Sequence, residues 1–142
     1  MDHGADVTED ERDEVNLLFI AVQKGHLEIA RIVVEAGADI NRADSDGRTP
    51  LYMASVLGHV EIARLLVDNG ADINLDGTDG MTPLNIASQK GHLEVARLLV
   101  ESGANINKPS DDGVTPLKIA MKKKHKDIVK LLQLAAQTMT LL

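Results

Sequence analysis

A 33-residue repeat governs this chain. Gly25, Gly58 and Gly91 each open a Gly-His pair, and they stand 33 residues apart. Gly37, Gly70 and Gly103 keep the same step, as do the Thr-Pro-Leu triplets that begin at Thr49, Thr82 and Thr115. No insertion breaks the register. A fixed period of about 20–50 residues marks a solenoid, in which each unit buries its apolar face only against its neighbours. Such an architecture presents an extended surface, and function is expected to lie in what that surface binds.

Composition narrows the interior and the partners. The 142 residues are 44% apolar but only 1% aromatic, so the core must be Leu, Ile, Val and Ala in close helix-on-helix packing. A formal charge of −7 argues against general binding to nucleic acid or to an anionic membrane, both of which need excess positive charge. Without cysteine the chain has neither disulfide nor thiolate chemistry, and the compartment stays open. No apolar run reaches the roughly 18 residues of a membrane span, and the acidic N-terminus is unlike a secretory signal. A soluble intracellular protein is favoured, with the localisation otherwise unknown.

Residues 47–79 serve as the type unit. Thr49 is a good helix N-cap and Pro50 suits the first helical position, where its missing N–H costs nothing. The spacing predicts a short helix over Leu51–Leu57 ending at Gly58, then a second from about His59 to Asn69. Gly70 follows at the position where a left-handed backbone is tolerated only without a Cβ. Residues 71–79 are too polar for a helix and read as an extended turn or hairpin. In the second helix Ile62, Leu65 and Leu66 fall at core spacing, opposite Glu61, Arg64 and Asp68. The acid–Arg–acid pattern recurs as Glu28–Arg31–Glu35 and Glu94–Arg97–Glu101. Exposed pairs of this kind contribute about 0.2–0.5 kcal/mol each and decorate an outer wall.

Gly47-Arg-Thr-Pro-Leu51, Gly58-His-Val-Glu-Ile62-Ala-Arg-Leu-Leu66 and Gly70-Ala-Asp-Ile-Asn74 resemble the ankyrin repeat. So do Gly80-Met-Thr-Pro-Leu84, Gly91-His-Leu-Glu-Val95 and Gly103-Ala-Asn-Ile-Asn107, in register over residues 14–134. The resemblance implies an all-α solenoid of L-shaped helix-turn-helix pairs linked by β-hairpin or turn fingers. It also implies that partners are proteins, bound at the finger tips and the concave face of the first helices. The expected organisation is a remnant of a preceding repeat with an acidic segment (1–13), a cap-like N-terminal repeat at 14–46, repeats at 47–79 and 80–112, a cap-like C-terminal repeat at 113–134, and a C-terminal tail at 135–142.

Several positions depart from the family pattern. The histidine usual after Thr-Pro-Leu, which bonds between repeats in the family, is replaced by Phe19, Tyr52, Asn85 and Lys118. Repeat 1 reads Asn16-Leu17-Leu18 in place of Thr-Pro-Leu, leaving Asn16 as its expected cap. Repeat 4 replaces Gly-His with Lys124-His125 and carries Lys118, Lys122, Lys123, Lys126 and Lys130, as a terminal repeat with a polar outer side would. Gly4-Ala5-Asp6-Val7 stands 33 residues before Gly37-Ala38-Asp39-Ile40. That register suggests a segment excised from a longer array, or one designed on the same plan. Residues 131–142 are expected to extend the last helix over the end of the array, with partner binding or self-association as the alternative.

Little in the chain suggests chemistry. His26, His59, His92 and His125 invite a zinc reading, but equivalent residues of packed helices lie about 8–10 Å apart. Zinc ligands must converge within about 2.0–2.1 Å of one ion, so structural histidines are expected. Asp44-Ser-Asp46-Gly47 resembles part of a calcium loop, yet Arg42 and Met53 stand where that template needs acids. There is no phosphate-cradling glycine loop and no evident Ser-His-acid set. The sequence therefore points to a non-enzyme with no cofactor, no bound metal and no small-molecule substrate.

The first helices carry the candidate surface. Positions 52, 55 and 56 are expected on one side, turned away from Leu51, Met53 and Ala54. Translated by the period, they form four rows: Phe19/Val22/Gln23, Tyr52/Ser55/Val56, Asn85/Ser88/Gln89 and Lys118/Met121/Lys122. The strip passes from apolar through neutral to cationic, and it holds Phe19 and Tyr52, both aromatics of the chain. Aromatic anchors in a desolvated patch are common hot spots. Leu57 and the finger residues Val15, Arg48, Met81 and Val114 extend it, rimmed by Asp46, Thr78, Asp79, Asp111 and Asp112. Against this stands the plainer reading that Phe19 and Val22 cover an exposed end of the core while Tyr52 stands in for histidine. The favoured function is protein–protein recognition by a monomer, with tail-mediated self-association as a variant. The competing readings are a stability-selected scaffold without a partner and a regulatory fragment of a larger enzyme, channel or toxin.

Overall fold

The computed structural model describes residues 9–77 and 79–141, with side chains described from Leu17 onward. The Gly4–Val7 remnant and Thr78 lie outside the described residues. Among the described residues eight helices follow one another: α1 (Glu9–Lys24), α2 (Leu27–Glu35), α3 (Pro50–Leu57), α4 (Val60–Asp68), α5 (Pro83–Lys90), α6 (Leu93–Glu101), α7 (Pro116–Lys122) and α8 (Lys126–Leu141). Each odd helix packs on the even helix that follows it. The odd helices also pack on one another in chain order, as do the even ones, which produces two parallel layers. This is the stacked arrangement that the 33-residue period requires.

Local chemistry sets the boundaries. Thr49, Thr82 and Thr115 adopt extended backbone, and their hydroxyls accept from the N–H groups of Tyr52, Asn85 and Lys118 at 3.1, 3.1 and 3.2 Å. The proline that follows starts the helix and holds its predecessor out of the helical region. Repeat 1 lacks that proline, and α1 runs back to Glu9. The expected cap at Asn16 is therefore corrected, since it and Val15 sit inside α1 and not at a finger. Nothing there removes an N–H or clashes with the preceding turn, so the helix propagates.

The first helices end in one closing device. The N–H of His26, His59, His92 and His125 reaches five residues back to Ala21, Ala54, Ala87 and Ala120, at 2.8, 3.0, 3.0 and 2.9 Å. This Schellman bond needs a left-handed residue just before each histidine. Gly25, Gly58 and Gly91 supply it with φ of 74, 78 and 80°, and Lys124 does so at 63°, alone among the non-glycine residues described. A lysine there carries the Cβ strain of the left-handed region. Lys124→Gly is expected to stabilise the protein by about 0.5–1 kcal/mol once the flexibility of glycine is set against that strain. A thermal melt that does not rise would contradict this.

Alanine and leucine fill the core between layers. Leu18, Leu51, Leu66, Leu84, Leu99 and Ile128 are essentially inaccessible, and Ala30, Ala54, Ala63, Ala87, Ala96 and Ala120 let the helices approach closely. Asparagines staple successive loops. Asn41 Oδ1 accepts from the Asp72 N–H at 2.7 Å, and Asn74 Oδ1 accepts from the Asn105 N–H at 2.8 Å. Among the described residues no strand forms, so the fingers are tight turns and not extended hairpins. Two backbone bonds close each one: the N–H groups of Asp44, Gly77 and Ser110 donate to the carbonyls of Arg48, Met81 and Val114 at 2.9, 3.0 and 2.9 Å, and those of Gly47, Gly80 and Gly113 donate to Asp44, Gly77 and Ser110 at 3.0, 3.0 and 2.9 Å. Residues 135–141 continue α8 as helix, so the C-terminal tail extends the last helix as its sequence suggested.

Candidate functional site

The rows predicted for the first helices divide into supports and surface. Val22, Ser55 and Ser88 are fully buried between neighbouring helices. Tyr52 is only 6% exposed and Asn85 only 1%. These side chains point under the fingers: Tyr52 lies against Gly77, and Asn85 Nδ2 donates to the Lys108 carbonyl at 3.3 Å. Tyr52 is thus no exposed aromatic anchor. The reason is geometric, because the residue two after the proline faces the turn of the finger that follows its own helix pair. Gln23, Leu57, Lys118 and Lys122 are exposed, while Phe19, Arg48, Val56, Met81, Gln89 and Val114 are half-buried.

Short-range hydrogen bonds tie the finger tips together. Asp44 accepts from the N–H groups of Asp46 and Arg48, both at 2.9 Å, and its second oxygen meets Arg48 Nε at 3.2 Å. The same guanidinium reaches Asp46 Oδ2 at 2.9 Å. Asp79 accepts from the Met81 N–H at 3.0 Å, and the Asp79 carbonyl accepts from the Asp111 N–H of the next finger at 3.2 Å. Asp46, Arg48, Tyr52, Gly77 and Asp79 enclose a polar cradle of about 250 Å³ between two fingers. Burial raises the Tyr52 pKa above the ordinary tyrosine value, the Asp79 carboxylate raises it further, and Arg48 opposes both. The phenol therefore stays neutral in the cradle across the physiological range.

The histidines belong to the scaffold. His92 Nε2 lies 3.0 Å from the Val56 carbonyl and His125 Nε2 lies 3.1 Å from the Gln89 carbonyl. Each imidazole bonds to the last turn of the preceding first helix, so inter-repeat histidine bonds do occur, at a different position from the one after Thr-Pro-Leu. This pairing was not legible from spacing alone, although Gly58 and Gly91, the glycines of the preceding repeats against which the two rings lie, were its signal. On the outer wall, Arg31–Glu28 at 3.7 Å and Arg97–Glu94 at 3.8 Å are the exposed pairs the helical spacing suggested. An apolar groove of about 450 Å³ lies between Val100, Gly103, Ala104 and Ile106 on one side and Leu131, Leu134, Ala135, Thr138 and Met139 of α8 on the other. Among the described residues no cluster of His or acidic side chains is placed to hold a metal, and no helix is long and apolar enough to cross a membrane.

Stacked helix pairs with turn fingers and closed first helices define a helical repeat solenoid, a class that displays an extended surface. The family description "Ankyrin repeats (3 copies)" matches residues 1–77 and again residues 75–140. The chain belongs to the ankyrin repeat family, whose members are generally protein–protein interaction modules. No curated protein matches the sequence.

Proposed function

We propose that the chain is a non-catalytic recognition module that grips a protein partner along its finger tips and the exposed rows of its first helices. The observation that carries this reading is a contrast within the chain. Threonine, proline, leucine, glycine and histidine recur in identical places, whereas Arg48/Met81/Val114 and Val56/Gln89/Lys122 differ from repeat to repeat on one accessible edge. Identical residues hold the backbone, and the varied ones present chemistry. The edge has Leu57, Met81 and Val114 as apolar contacts, Gln23 and Gln89 as hydrogen-bonding groups, and Lys118 with Lys122 as a cationic end. Phe19 and Arg48 flank it. Tyr52 and Asn85 contribute indirectly, by holding the fingers in place.

The test is affinity measured beside stability. For a partner recovered with the wild-type protein, the Met81→Ala/Val114→Ala double variant is expected to bind about tenfold or more weakly, roughly 1.4 kcal/mol, as for central interface residues. Its melting temperature should fall by no more than a few degrees, because both side chains are only half-buried. Unaltered affinity would remove the finger edge from the interface. Failure to recover any partner in which this edge matters would favour a scaffold without a cognate ligand.

A further inference from the structure

We infer that the outer side of repeat 1 is a docking face for a further helix pair of this same repeat type, one whose first helix ends in glycine. The evidence is a comparison of equivalent positions. Ile29 is 46% exposed, while Ile62, Val95 and Ile128 are at 2, 1 and 1%. Ile32 is 65% exposed, while Leu65 and Leu98 are at 8 and 6%. Leu17 and Ile20 are exposed as well, whereas the prolines aligned with Leu17 and the isoleucines Ile86 and Ile119 aligned with Ile20 are buried. In repeats 2–4 these positions are buried, or half-buried at Met53 and Leu131, against the preceding helix pair, so the three interfaces inside the molecule show what shape fits the fourth. Four large aliphatic side chains on one face exceed the scattered apolar exposure of an ordinary surface.

His26 makes the requirement sharper. The imidazoles of His59, His92 and His125 lie where a Cβ on Gly25, Gly58 or Gly91 would stand, at 3.0, 2.6 and 2.7 Å, and two of them bond to last-turn carbonyls. His26 occupies the same place on the open face and is exposed. A docked helix pair must therefore offer a carbonyl in its last turn and no Cβ at the residue that follows. A second copy of this chain does not satisfy this. Its opposite end carries Lys124, with a Cβ, where the glycine is needed, and it exposes Lys118 and Met121 where internal faces bury Tyr52 and Asn85, and Ser55 and Ser88.

The test inserts a copy of residues 47–79 immediately before Glu14 of the full chain, in the 33-residue register. The melting temperature is expected to rise by roughly 5 °C or more, because repeat stability is close to a sum of neighbour interfaces. The ring-nitrogen resonances of His26 should move toward those of His92 and His125. The same insert carrying Gly58→Lys in the added copy should lose most of the gain. An unchanged melting temperature, a protease-sensitive insert, or an equal gain with the lysine would overturn the inference. In the wild-type protein the His26 resonances should not depend on concentration between about 10 µM and 1 mM, a range that detects even weak association. A concentration-dependent shift would assign the face to a second copy and overturn the occupant named here.

Discussion

Gly58→Ala is expected to destabilise the protein by about 3 kcal/mol or more, whereas Gly70→Ala should cost only about 1–2 kcal/mol. Both residues are left-handed, with φ of 78 and 93°, and any L-residue there meets a penalty of about 1–2 kcal/mol. What separates them is the neighbour. A Cβ on Gly70 meets nothing within 4 Å, but one on Gly58 would stand 2.6 Å from His92 Nδ1 and 2.7 Å from Cε1. The ring must then leave its bond to the Val56 carbonyl, forfeiting about 1 kcal/mol more and opening the interface beside it. For a chain of this size the two losses correspond to roughly 10 and 4 °C in melting temperature. Pairing Gly58→Ala with His92→Ala should recover part of the loss, since the two changes share one contact. Equal melting temperatures for the two glycine variants would show that the imidazole does not require this glycine.

Tyr52→Ala is expected to cost about 3 kcal/mol of stability, the scale for truncating a buried aromatic side chain. The ring fills the space between α3 and the finger at Gly77. Tyr52→Phe keeps that packing and should differ little from wild type at neutral pH. The two should diverge at high pH. Burial and Asp79 hold the folded-state pKa of Tyr52 above its unfolded value. The unfolded chain therefore releases this proton first, and stability that is fully present below about pH 10 is lost as the pH rises beyond it. Urea midpoints from about pH 8 to 11 should fall more steeply for wild type than for Tyr52→Phe. Parallel curves would place the phenol in contact with solvent.

Much of the fold was legible because each repeat writes its own boundaries. Thr-Pro starts a helix through a hydroxyl cap and a locked φ, and glycine ends it through a conformation that other residues adopt only under strain. Both are local effects, readable over four or five residues. Repeat 1 shows the limit of such reading. Asn16 has the right chemistry for a cap, but without a proline the helix continues through it to Glu9.

The candidate surface was less legible. Exposure at position 52 depends on the finger, which is remote from α3 in the helical pattern and covers one side of it. Tyr52 therefore reads as a surface aromatic in sequence and is a buried support in the folded chain. Ser55 and Ser88 mislead in the same way, since small polar side chains suit both a wet surface and a close helix–helix contact.

Reading the residues alone was enough for the period, the helix limits of repeats 2–4 and the apolar stripe of each second helix, because these follow from spacing and from the conformational limits of Thr, Pro and Gly. Tertiary structure alone decided which side of each pair faces its predecessor, that the histidines bond across repeats, and that Leu17, Ile20, Ile29 and Ile32 remain uncovered. The physical reason is that burial in a stacked array is a property of two neighbouring units. The same residue letters are core in one repeat and surface in another according to whether a neighbour is present.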